Sequence, residues 1–357
     1  MSRTRTLAAG IAVAAFTALA LSGCATTGGG GGGDAASSEN AAIDVGVSLE
    51  GKTICFGFSG SETEFWAAGI AAISDSLEAA DARVIEHNSN EDPNKQLEQM
   101  NDCITQGVDG IIIIPEDGSS ADTIIAEANK ADIPIGVFNR PPASEDGAAI
   151  VAVADNRGVS SATMEHMVTQ AEALGLDRKI RSVIMVGNLS DQNALERRNG
   201  FYDVVDAHPD LFEEPIEVQT NWDAATGQAN LEAAMQANPE IDLLFTSSDF
   251  LYPQIRSVLE PMGLWKASGE EGHVIMGGID GDNRACTLLK DGFVDATGVQ
   301  DLFTEAEQLL TALAGAIDEG ETDADELLLD PGFALTQDNV GEKEKDTWGC
   351  VITPPNS

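Results

Sequence analysis

The stretch GVDGIIIIP, residues 107–115, decides the fold of this 357-residue chain. Its four consecutive isoleucines stand between glycine and proline, and such a short β-branched run is typical of a strand buried on both faces. Strands buried in this way belong to parallel sheets. Similar runs recur along the chain: KTICFGF (52–58), IPIGVF (133–138), AIVAVA (149–154), RSVIMVG (181–187), DLLFTSS (242–248) and HVIMGGI (273–279).

Helical patterns lie between these runs. Trp66, Ile70, Ile73 and Leu77 follow one another at steps of four, three and four residues. Strand–helix–strand repeats predict parallel sheets with helices on both faces. Because the series is too long for one open sheet of ordinary width, we expect an α/β fold of two doubly wound parallel-sheet lobes.

The amino-terminal segment predicts export and lipid attachment. Arg3 and Arg5 precede an apolar run, Leu7–Leu21, which has the length of a signal peptide and is too short to span a membrane comfortably. The sequence LSGC at 21–24 resembles a bacterial lipobox, in which cleavage leaves the cysteine as a lipidated first residue. The alternative is an ordinary signal peptide followed by a chance Cys24.

A flexible linker is predicted after the signal peptide of residues 1–23. Residues 24–50 begin with Cys24 and include six glycines, Gly28–Gly33, followed by small and polar residues. About 25 residues of such coil have a root-mean-square span of roughly 27 Å. The protein is therefore expected outside the cytoplasm, anchored by lipid to the outer face of the cell membrane, in the periplasm or at the cell surface.

The chain is strongly acidic. It has 60 acidic and 19 basic residues, a formal charge of -41, which becomes -43 without Arg3 and Arg5. Such a charge repels nucleic acid, so no nucleic-acid partner is expected. The acids are scattered, as in DEGETDADE (318–326), which favours a hydrated surface suited to high salt over an acidic recognition surface.

Four cysteines remain besides Cys24. They are Cys55, Cys103, Cys286 and Cys350, and no two of them form the close C-x-x-C pair of a metal site. An even number outside the cell predicts two disulfides, and their spacing leaves all three pairings open.

Polar residues follow the predicted strands, where ligands bind in parallel sheets. They occur in SGSETEFW, NRPP, DNRG, NLSDQNALERRNGF, NWDAATG, SSDF, GIDGDNR and VQD. Neither a phosphate-binding loop nor a basic cluster is present. Amides, carboxylates and guanidinium groups make paired hydrogen bonds to hydroxyls, and aromatic faces cover sugar C–H groups, so this set favours a neutral polyhydroxylated ligand.

The ordered set GVDGIIIIP, IPIGVFNR, VAVADN, RRNGF, NWD, SSD, GIDGD and ATGVQD resembles the ribose-binding-like family of bacterial sugar-binding proteins, the receptors of ABC importers. The resemblance extends from Lys52 to about Gly332. It implies a hinge of three crossings, near Ala154, Gln300 and Gly332, with the sugar between the lobes. It also implies an amino-terminal lobe of residues 51–153 plus 301–332, and a carboxyl-terminal lobe of 154–300 plus 333–357.

The resemblance also selects a disulfide pairing. With these lobe boundaries, Cys55 and Cys103 share the first lobe, and Cys286 and Cys350 share the second. Bridges within each lobe leave the hinge free, whereas either crossed pairing would join the lobes covalently and hinder closure.

Nine ligand-binding residues are implied by the same resemblance. Arg197 is preferred over Arg198 because it stands three residues before the Gly200–Phe201 pair, as the sugar-binding arginine of the family does; Arg198 is expected in a surface ion pair. The full set is Phe65, Trp66, Asn139, Arg140, Arg197, Trp222, Ser248, Asp280 and Gln300.

Some of these residues also have simpler interpretations. Phe65 and Trp66 begin a helix whose apolar stripe packs inward, so one of them is expected in the core. Arg140 could balance nearby acids, Trp222 could pack in the core, and Asp280 could cap the following helix.

The chain also departs from the family pattern. Asn139 stands where the family often has Asp, and Ser248 where it often has Asn, so the ligand need not be ribose. Glu62 and Glu64 add acid near the opening, either as part of the acidic surface or to recognise an amine substituent.

Enzyme chemistry finds little support. The four histidines are isolated, and neither H-E-x-x-H nor G-x-S-x-G occurs. No catalytic residue, metal site or cofactor is predicted. We expect the protein to be a monomer that binds a monosaccharide or polyol and interacts with the permease of an ABC transporter. Two alternatives stay open, a receptor that signals to a sensor and a lipoprotein enzyme acting on glycans.

Overall fold

The computed structural model describes residues 42–144 and 146–352. The predicted signal peptide, Cys24 and most of the linker lie outside the described residues. The strands are, in chain order, β1 (Thr53–Phe58), β2 (Arg83–Asn88), β3 (Gly110–Ile114), β4 (Ile135–Phe138), β5 (Ile150–Ala154), β6 (Ser182–Val186), β7 (Ile216–Gln219), β8 (Leu243–Thr246), β9 (Ile275–Asp280), β10 (Ala296–Val299), β11 (Glu326–Asp330) and β12 (Phe333–Thr336).

Helices alternate with most of the strands. They are α1 (Glu64–Ala79), α2 (Pro93–Gln106), α3 (Gly118–Lys130), α4 (Asn156–Ala173), α5 (Gln192–Ala207), α6 (Ala224–Ala237), α7 (Tyr252–Leu259), α8 (Asn283–Lys290), α9 (Leu302–Glu319), α10 (Val340–Lys343) and α11 (Trp348–Val351), with 3-10 turns at Asp249–Leu251, Glu260–Met262 and Glu344–Asp346.

The strands form two six-stranded sheets, one in each lobe. The first has the order β11-β5-β4-β3-β1-β2, and the second has the order β12-β10-β9-β8-β6-β7. The prediction of two doubly wound lobes is confirmed. One strand differs from the expected parallel arrangement, because β12 runs antiparallel to β10 at the edge of the second sheet. The chain reaches β12 by a short return from β11 of the other sheet.

The isoleucine run of 111–114 forms the centre of the first sheet, as β3. It pairs with β1 on one side and with β4 on the other, and all four isoleucines are fully buried. Alternate side chains point to opposite faces of the sheet, so each isoleucine packs against helices of one layer or the other. This explains why the strand shows no polar alternation.

The chain passes between the two sheets three times. It leaves the first sheet after β5, returns to its lobe as α9 after β10, and crosses again between β11 and β12. The short segments that make these passages are 155, 300–301 and 331–332. The two lobes are therefore joined by three neighbouring connections.

Each lobe contains one disulfide. Cys55 of β1 is bonded to Cys103 of α2, and Cys286 of α8 is bonded to Cys350 of α11. This is the pairing implied by the family resemblance. The bonded residues are 48 and 64 positions apart, so closing each loop restricts the unfolded chain and stabilises the fold by about 4 kcal/mol in the chain-entropy account.

No helix among residues 42–144 and 146–352 combines the length and the apolar character that crossing a membrane requires.

Candidate functional site

A cavity of about 440 Å³ lies between the lobes, at the carboxyl ends of strands from both sheets. Its size falls within the range of about 300–1,000 Å³ that is usual for small-molecule sites. The structure brings all nine residues proposed from the sequence to this cavity: Phe65, Trp66, Asn139, Arg140, Arg197, Trp222, Ser248, Asp280 and Gln300.

Asp280, the last residue of β9, is the most highly connected carboxylate in the cavity. Its Oδ1 accepts hydrogen bonds from Arg197 Nη1 at 3.0 Å and from Gln300 Nε2 at 2.7 Å. Its Oδ2 accepts a short hydrogen bond from the Ser248 hydroxyl. Four of the nine residues therefore form one bonded group that belongs to the second lobe and to the connection that leaves it.

Arg197 of α5 makes two hydrogen bonds besides the one to Asp280. Its Nη1 also donates to the Ser247 carbonyl at 2.7 Å, and its Nε donates to Asn156 Oδ1 at 2.6 Å. Arg197 and Asp280 are only 4% and 5% exposed. Burial raises the pKa of Asp280, and the guanidinium of Arg197 opposes that rise. Each charge is therefore compensated by a fixed partner in a site with little water.

Asp282, rather than Asp280, caps the following helix. Its side chain accepts the Ala285 N–H at 2.7 Å, so Asp280 is free of the capping role considered from the sequence. Burial raises the pKa of Asp282 to about 7.

Asn139 occupies the corresponding position in the first lobe. It follows β4 with φ 62°, and its Nδ2 donates to Gln300 Oε1 at 3.0 Å and to Glu305 Oε2 at 2.9 Å. Asn193 of the second lobe donates to the Asn139 carbonyl at 3.0 Å. Asn139 thus connects the two lobes directly. An ionised aspartate here could not donate to Gln300 Oε1, which gives a local reason for the departure from the family pattern.

Arg140 contacts residues of both lobes. Nη1 donates to the carbonyls of Pro115 and Glu116, and Nε lies 3.1 Å from Asp191 Oδ2 in the second lobe. Its guanidinium carbon lies 5.1 Å from the centroid of the Trp66 ring. The structure therefore places Arg140 at the cavity and in an ion pair between the lobes.

Trp222 lies in a tight turn after β7. Asn221 and Trp222 have φ of 54° and 60°, a left-handed conformation that costs energy for residues other than glycine. The indole Nε1 donates to Asp191 Oδ2 at 3.0 Å. A side chain at Gly187 would overlap the ring, because its Cβ would lie 2.3 Å from Trp222 atoms. The ring is thus held at the cavity wall, with Arg197 5.8 Å from its centroid.

The two aromatic residues at the start of α1 have different surroundings. Phe65 is buried and packs edge-on against Trp66 and Trp348, at centroid distances of 5.1 and 5.7 Å. Trp66 is half-buried and faces Arg140. One of the pair therefore packs inward, as the helical stripe predicts. Glu64, beside them, accepts the N–H of Asn283 of the second lobe at 3.2 Å.

Sequence reasoning missed three residues of this region. Asp191 and Asn193 stand in the quoted segment NLSDQNALERRNGF, but nothing in the residues singled them out. Glu305 could have been found, because it falls on the apolar face of α9 beside Leu302, Ala306 and Leu309, where a charge is unexpected. It is 0% exposed, and burial raises its pKa well above the ordinary 4.5.

Arg198 has the role expected for it. Its Nε donates to Glu217 at 2.6 Å in a partly exposed ion pair, away from the cavity.

The charge of the cavity lining disfavours an anionic ligand. Arg140 and Arg197 are its two basic residues, and each is paired with a carboxylate, Asp191 and Asp280. The remaining acidic residues of the lining are Glu62, Glu91, Glu116 and Asp223. A phosphate or sulfate would meet no uncommitted cation there. Amides, carboxylates and tryptophan faces suit a neutral polyhydroxylated molecule.

One group among the described residues has the composition of a metal site. Cys55, His87 and Cys103 have potential ligand atoms within 4.8 Å of one another. The two sulfurs are bonded to each other, so they offer no thiolate to a metal ion.

Comparisons with known proteins agree with this arrangement. A family model described as a periplasmic binding protein domain matches residues 54–322. The D-apiose import binding protein of Actinobacillus succinogenes is 23% identical over 266 residues, which cover 73% of this chain and 75% of that protein. The D-ribose/D-allose-binding protein of Pseudomonas aeruginosa is 27% identical over 243 residues, covering 65% and 72%.

A solved structure extends the comparison to the fold. An ABC transporter solute binding protein from Bacillus halodurans C-125, with bound myo-inositol, is 25% identical with a TM-score of 0.72. The match covers 84% of this chain and 99% of that one. The resemblance drawn from the ordered motifs is confirmed.

The Arg197→Ala variant is expected to lower the free energy of unfolding by about 3–5 kcal/mol, because it leaves the Asp280 carboxylate buried without its cation. Arg198→Ala is the matched control, since it removes an exposed ion pair worth about 0–1 kcal/mol. Urea unfolding near neutral pH measures both. Equal losses in the two variants would contradict the assignment of Arg197 to a buried pair.

The Glu305→Gln variant is expected to weaken the dependence of stability on pH. The raised pKa means that folded protein keeps a proton that the unfolded chain releases above the ordinary value of 4.5. The free energy of unfolding therefore falls as the pH rises from about 4.5 towards the folded-state pKa, and glutamine removes this contribution.

Urea unfolding between about pH 4.5 and 8 checks this expectation for the Glu305 carboxyl. Glu307→Gln, an exposed neighbour on the same helix, is the control. If the unfolding free energies of wild type and Glu305→Gln run parallel over this range, the buried carboxyl does not titrate as stated.

Proposed function

Because the chain belongs to the family of periplasmic binding protein domains, we propose that it captures a sugar or a polyol between its lobes and delivers it to an ABC importer. One observation carries the proposal: polar side chains from both lobes converge on a single cavity, where both arginines are already paired with carboxylates. Family members are binding proteins. The two relatives are named as binding proteins for D-apiose and for D-ribose and D-allose, and the solved neighbour contains bound myo-inositol, which supports the same ligand class.

The cavity offers separate contacts for the two kinds of surface on a sugar. Asp280 and Gln300 present oxygens that accept from hydroxyl groups, while the Ser248 hydroxyl can donate or accept. Trp66 of the first lobe and Trp222 of the second provide aromatic faces for C–H groups. A ligand that uses both sides must touch both lobes.

We propose that the three connections between the sheets form the hinge, with lobe boundaries at the sequence-derived positions. Arg140–Asp191, Asn193–Asn139 and Glu64–Asn283 are contacts between the lobes. Each is formed only when the lobes are close together. Bound ligand adds further contacts to the same state, so it shifts the population towards closure, which a permease can then recognise.

The cellular setting belongs to the same proposal. The family places the protein outside the cytoplasm, and the lipobox-like LSGC supports a lipid on Cys24 that holds the protein at the outer face of the membrane. The same proposal takes the protein as a monomer.

A ligand screen tests the function. Thermal unfolding is measured with D-ribose, D-apiose, D-allose, xylitol and myo-inositol, because ligand at one hundred times its dissociation constant adds about 2.7 kcal/mol of stability. At least one compound is expected to raise Tm. Calorimetric titration with the best compound is then expected to show a loss of affinity of about tenfold or more in Asp280→Asn and in Trp222→Ala.

Arg198→Ala, which changes a surface pair outside the cavity, should keep the wild-type affinity in this titration. Retained affinity in both cavity variants would refute the site. Chemical conversion of the bound sugar by the purified protein would instead favour a glycan-active enzyme.

Expression of the full chain tests the anchor. The wild type is expected to incorporate a labelled fatty acid, and the Cys24→Ser variant is expected to incorporate none, because a serine cannot take the thioether-linked lipid. Equal labelling of the two proteins would exclude Cys24 as the attachment point.

A further inference from the structure

The backbone at Asp280 is strained. Asp280 has φ 123° and Gly281 has φ 75°, and the value at Asp280 lies in a region that favours glycine. Such a conformation is energetically unfavourable and persists only where neighbouring groups hold it. The position of the Asp280 side chain in the cavity therefore depends on a strained turn, Asp280–Gly281, which other residues must hold in place.

Two buried side chains form hydrogen bonds with the backbone of this turn. The Trp348 indole Nε1 donates to the Asp280 carbonyl at 2.8 Å, and the Gly281 N–H donates to Asp249 Oδ2 at 2.8 Å. Trp348 is 1% exposed and belongs to α11, near the carboxyl-terminal end of the described residues. One support therefore comes from the body of the second lobe and the other from the end of the chain.

The residues after Trp348 press against the same turn. A Cβ at Gly349 would lie 2.2 Å from the Gly281 oxygen and 2.3 Å from the Asp282 carbonyl carbon. Asn283 Nδ2 donates to the Gly349 carbonyl at 3.0 Å. We call residues Thr347–Ile352 the terminal segment. Its backbone approaches the turn so closely that no side chain fits between them.

The Cys286–Cys350 disulfide fastens the terminal segment to α8. Cys286 is the fourth residue of α8, five positions after Gly281, and Cys350 lies two residues after Trp348. A second tie, the ion pair between Lys290 and Glu344 at 2.6 Å, is exposed to solvent and therefore contributes little. The disulfide therefore links the segment that contains Trp348 covalently to the helix that follows the Asp280–Gly281 turn.

Trp348 also reaches the other lobe. Its ring lies 5.7 Å from that of Phe65 at an interplanar angle of 77°, an edge-to-face contact. The same side chain thus supports the cavity carboxylate and packs against the first lobe beside Trp66.

We propose that the disulfide-tied terminal segment is a positioning element for the ligand cavity, with Trp348 as the positioning residue that fixes the Asp280 backbone. The inference rests on the proposed function for its effect on affinity. Opening the Cys286–Cys350 bond should loosen the Asp280 turn and weaken ligand binding, in addition to lowering stability.

The other disulfide provides an internal control. Cys55 and Cys103 are buried in an apolar cluster of the first lobe, between its sheet and the helices α2 and α3. No residue of that cluster lines the cavity. Loss of this bond should lower stability without a specific effect on the Asp280 turn.

The first measurement needs no ligand. Amide hydrogen exchange is followed by mass spectrometry in peptides that cover residues 278–285, for Cys286→Ser/Cys350→Ser, Cys55→Ser/Cys103→Ser and Trp348→Phe. Exchange there is expected to accelerate about tenfold in the first and third proteins relative to the second, because the Gly281 amide loses its fixed geometry. Trp265→Phe, in the same lobe, is the control for Trp348→Phe.

The Trp348→Phe variant keeps a ring against Phe65 and removes the indole donor together with part of the buried ring. Trp265→Phe matches the loss of ring volume at another buried site, so the comparison tests the positioning role even if the double-serine protein fails to fold. Calorimetric titration with the sugar that gives the largest Tm shift is the second measurement. Affinity should fall about tenfold in Trp348→Phe and stay within about twofold of wild type in Cys55→Ser/Cys103→Ser.

Wild-type exchange at 278–285 in Trp348→Phe would overturn the positioning role, whatever the ligand result. Unchanged affinity in Trp348→Phe, with a sugar that wild type binds, would also overturn it. If no sugar binds wild type, the proposed function fails while the exchange measurement still decides the inference.

Discussion

The site depends on the buried ion pair between Arg197 and Asp280. Taking two charges out of water is costly, and the cost is offset only where geometry and additional hydrogen bonds are good. Here Ser247, Asn156, Ser248 and Gln300 supply those bonds, so the pair fixes the ends of α5, β8, β9 and β10 relative to one another. A cavity wall assembled in this way is rigid before ligand arrives, and preorganisation of this kind lowers the entropic cost of binding.

The first lobe contributes a different kind of wall. Asn139 and Arg140 each bond both to their own lobe and to the second one, through Glu305 and Asn193 in one case and Pro115 and Asp191 in the other. The bonds to the second lobe can break and form when the lobes move. The hydrogen bonds of Asp280 with Arg197, Ser248 and Gln300 stay intact during that movement. A few polar contacts stabilise the closed state, and the conformational entropy of the three short connections favours the open state. A ligand that contacts both walls shifts this equilibrium towards closure.

The sequence was sufficient for the fold because the signal is strong and local. The isoleucines of 111–114 and the similar runs leave few alternatives to buried parallel strands. The nine residues implied by the family resemblance all line one cavity. The features that the sequence could not predict depend on tertiary contacts. The left-handed φ of Asn139, Trp222 and Asp280 follows from packing rather than residue type, and Trp348 supports Asp280 from 68 positions away. Strand β12 runs antiparallel to β10 because the two-residue connection brings the chain into the second sheet beside the last residue of β10, where Phe333 pairs with Val299.

A crystal structure of the protein with its best ligand would show whether Asp280 and the two tryptophans bind that ligand. We expect a sugar or polyol between Trp66 and Trp222, with a hydroxyl oxygen about 2.5–3.0 Å from a carboxylate oxygen of Asp280 that still contacts Arg197. A ligand bound elsewhere, or one in this cavity whose hydroxyls leave Asp280 uncontacted, would contradict this expectation.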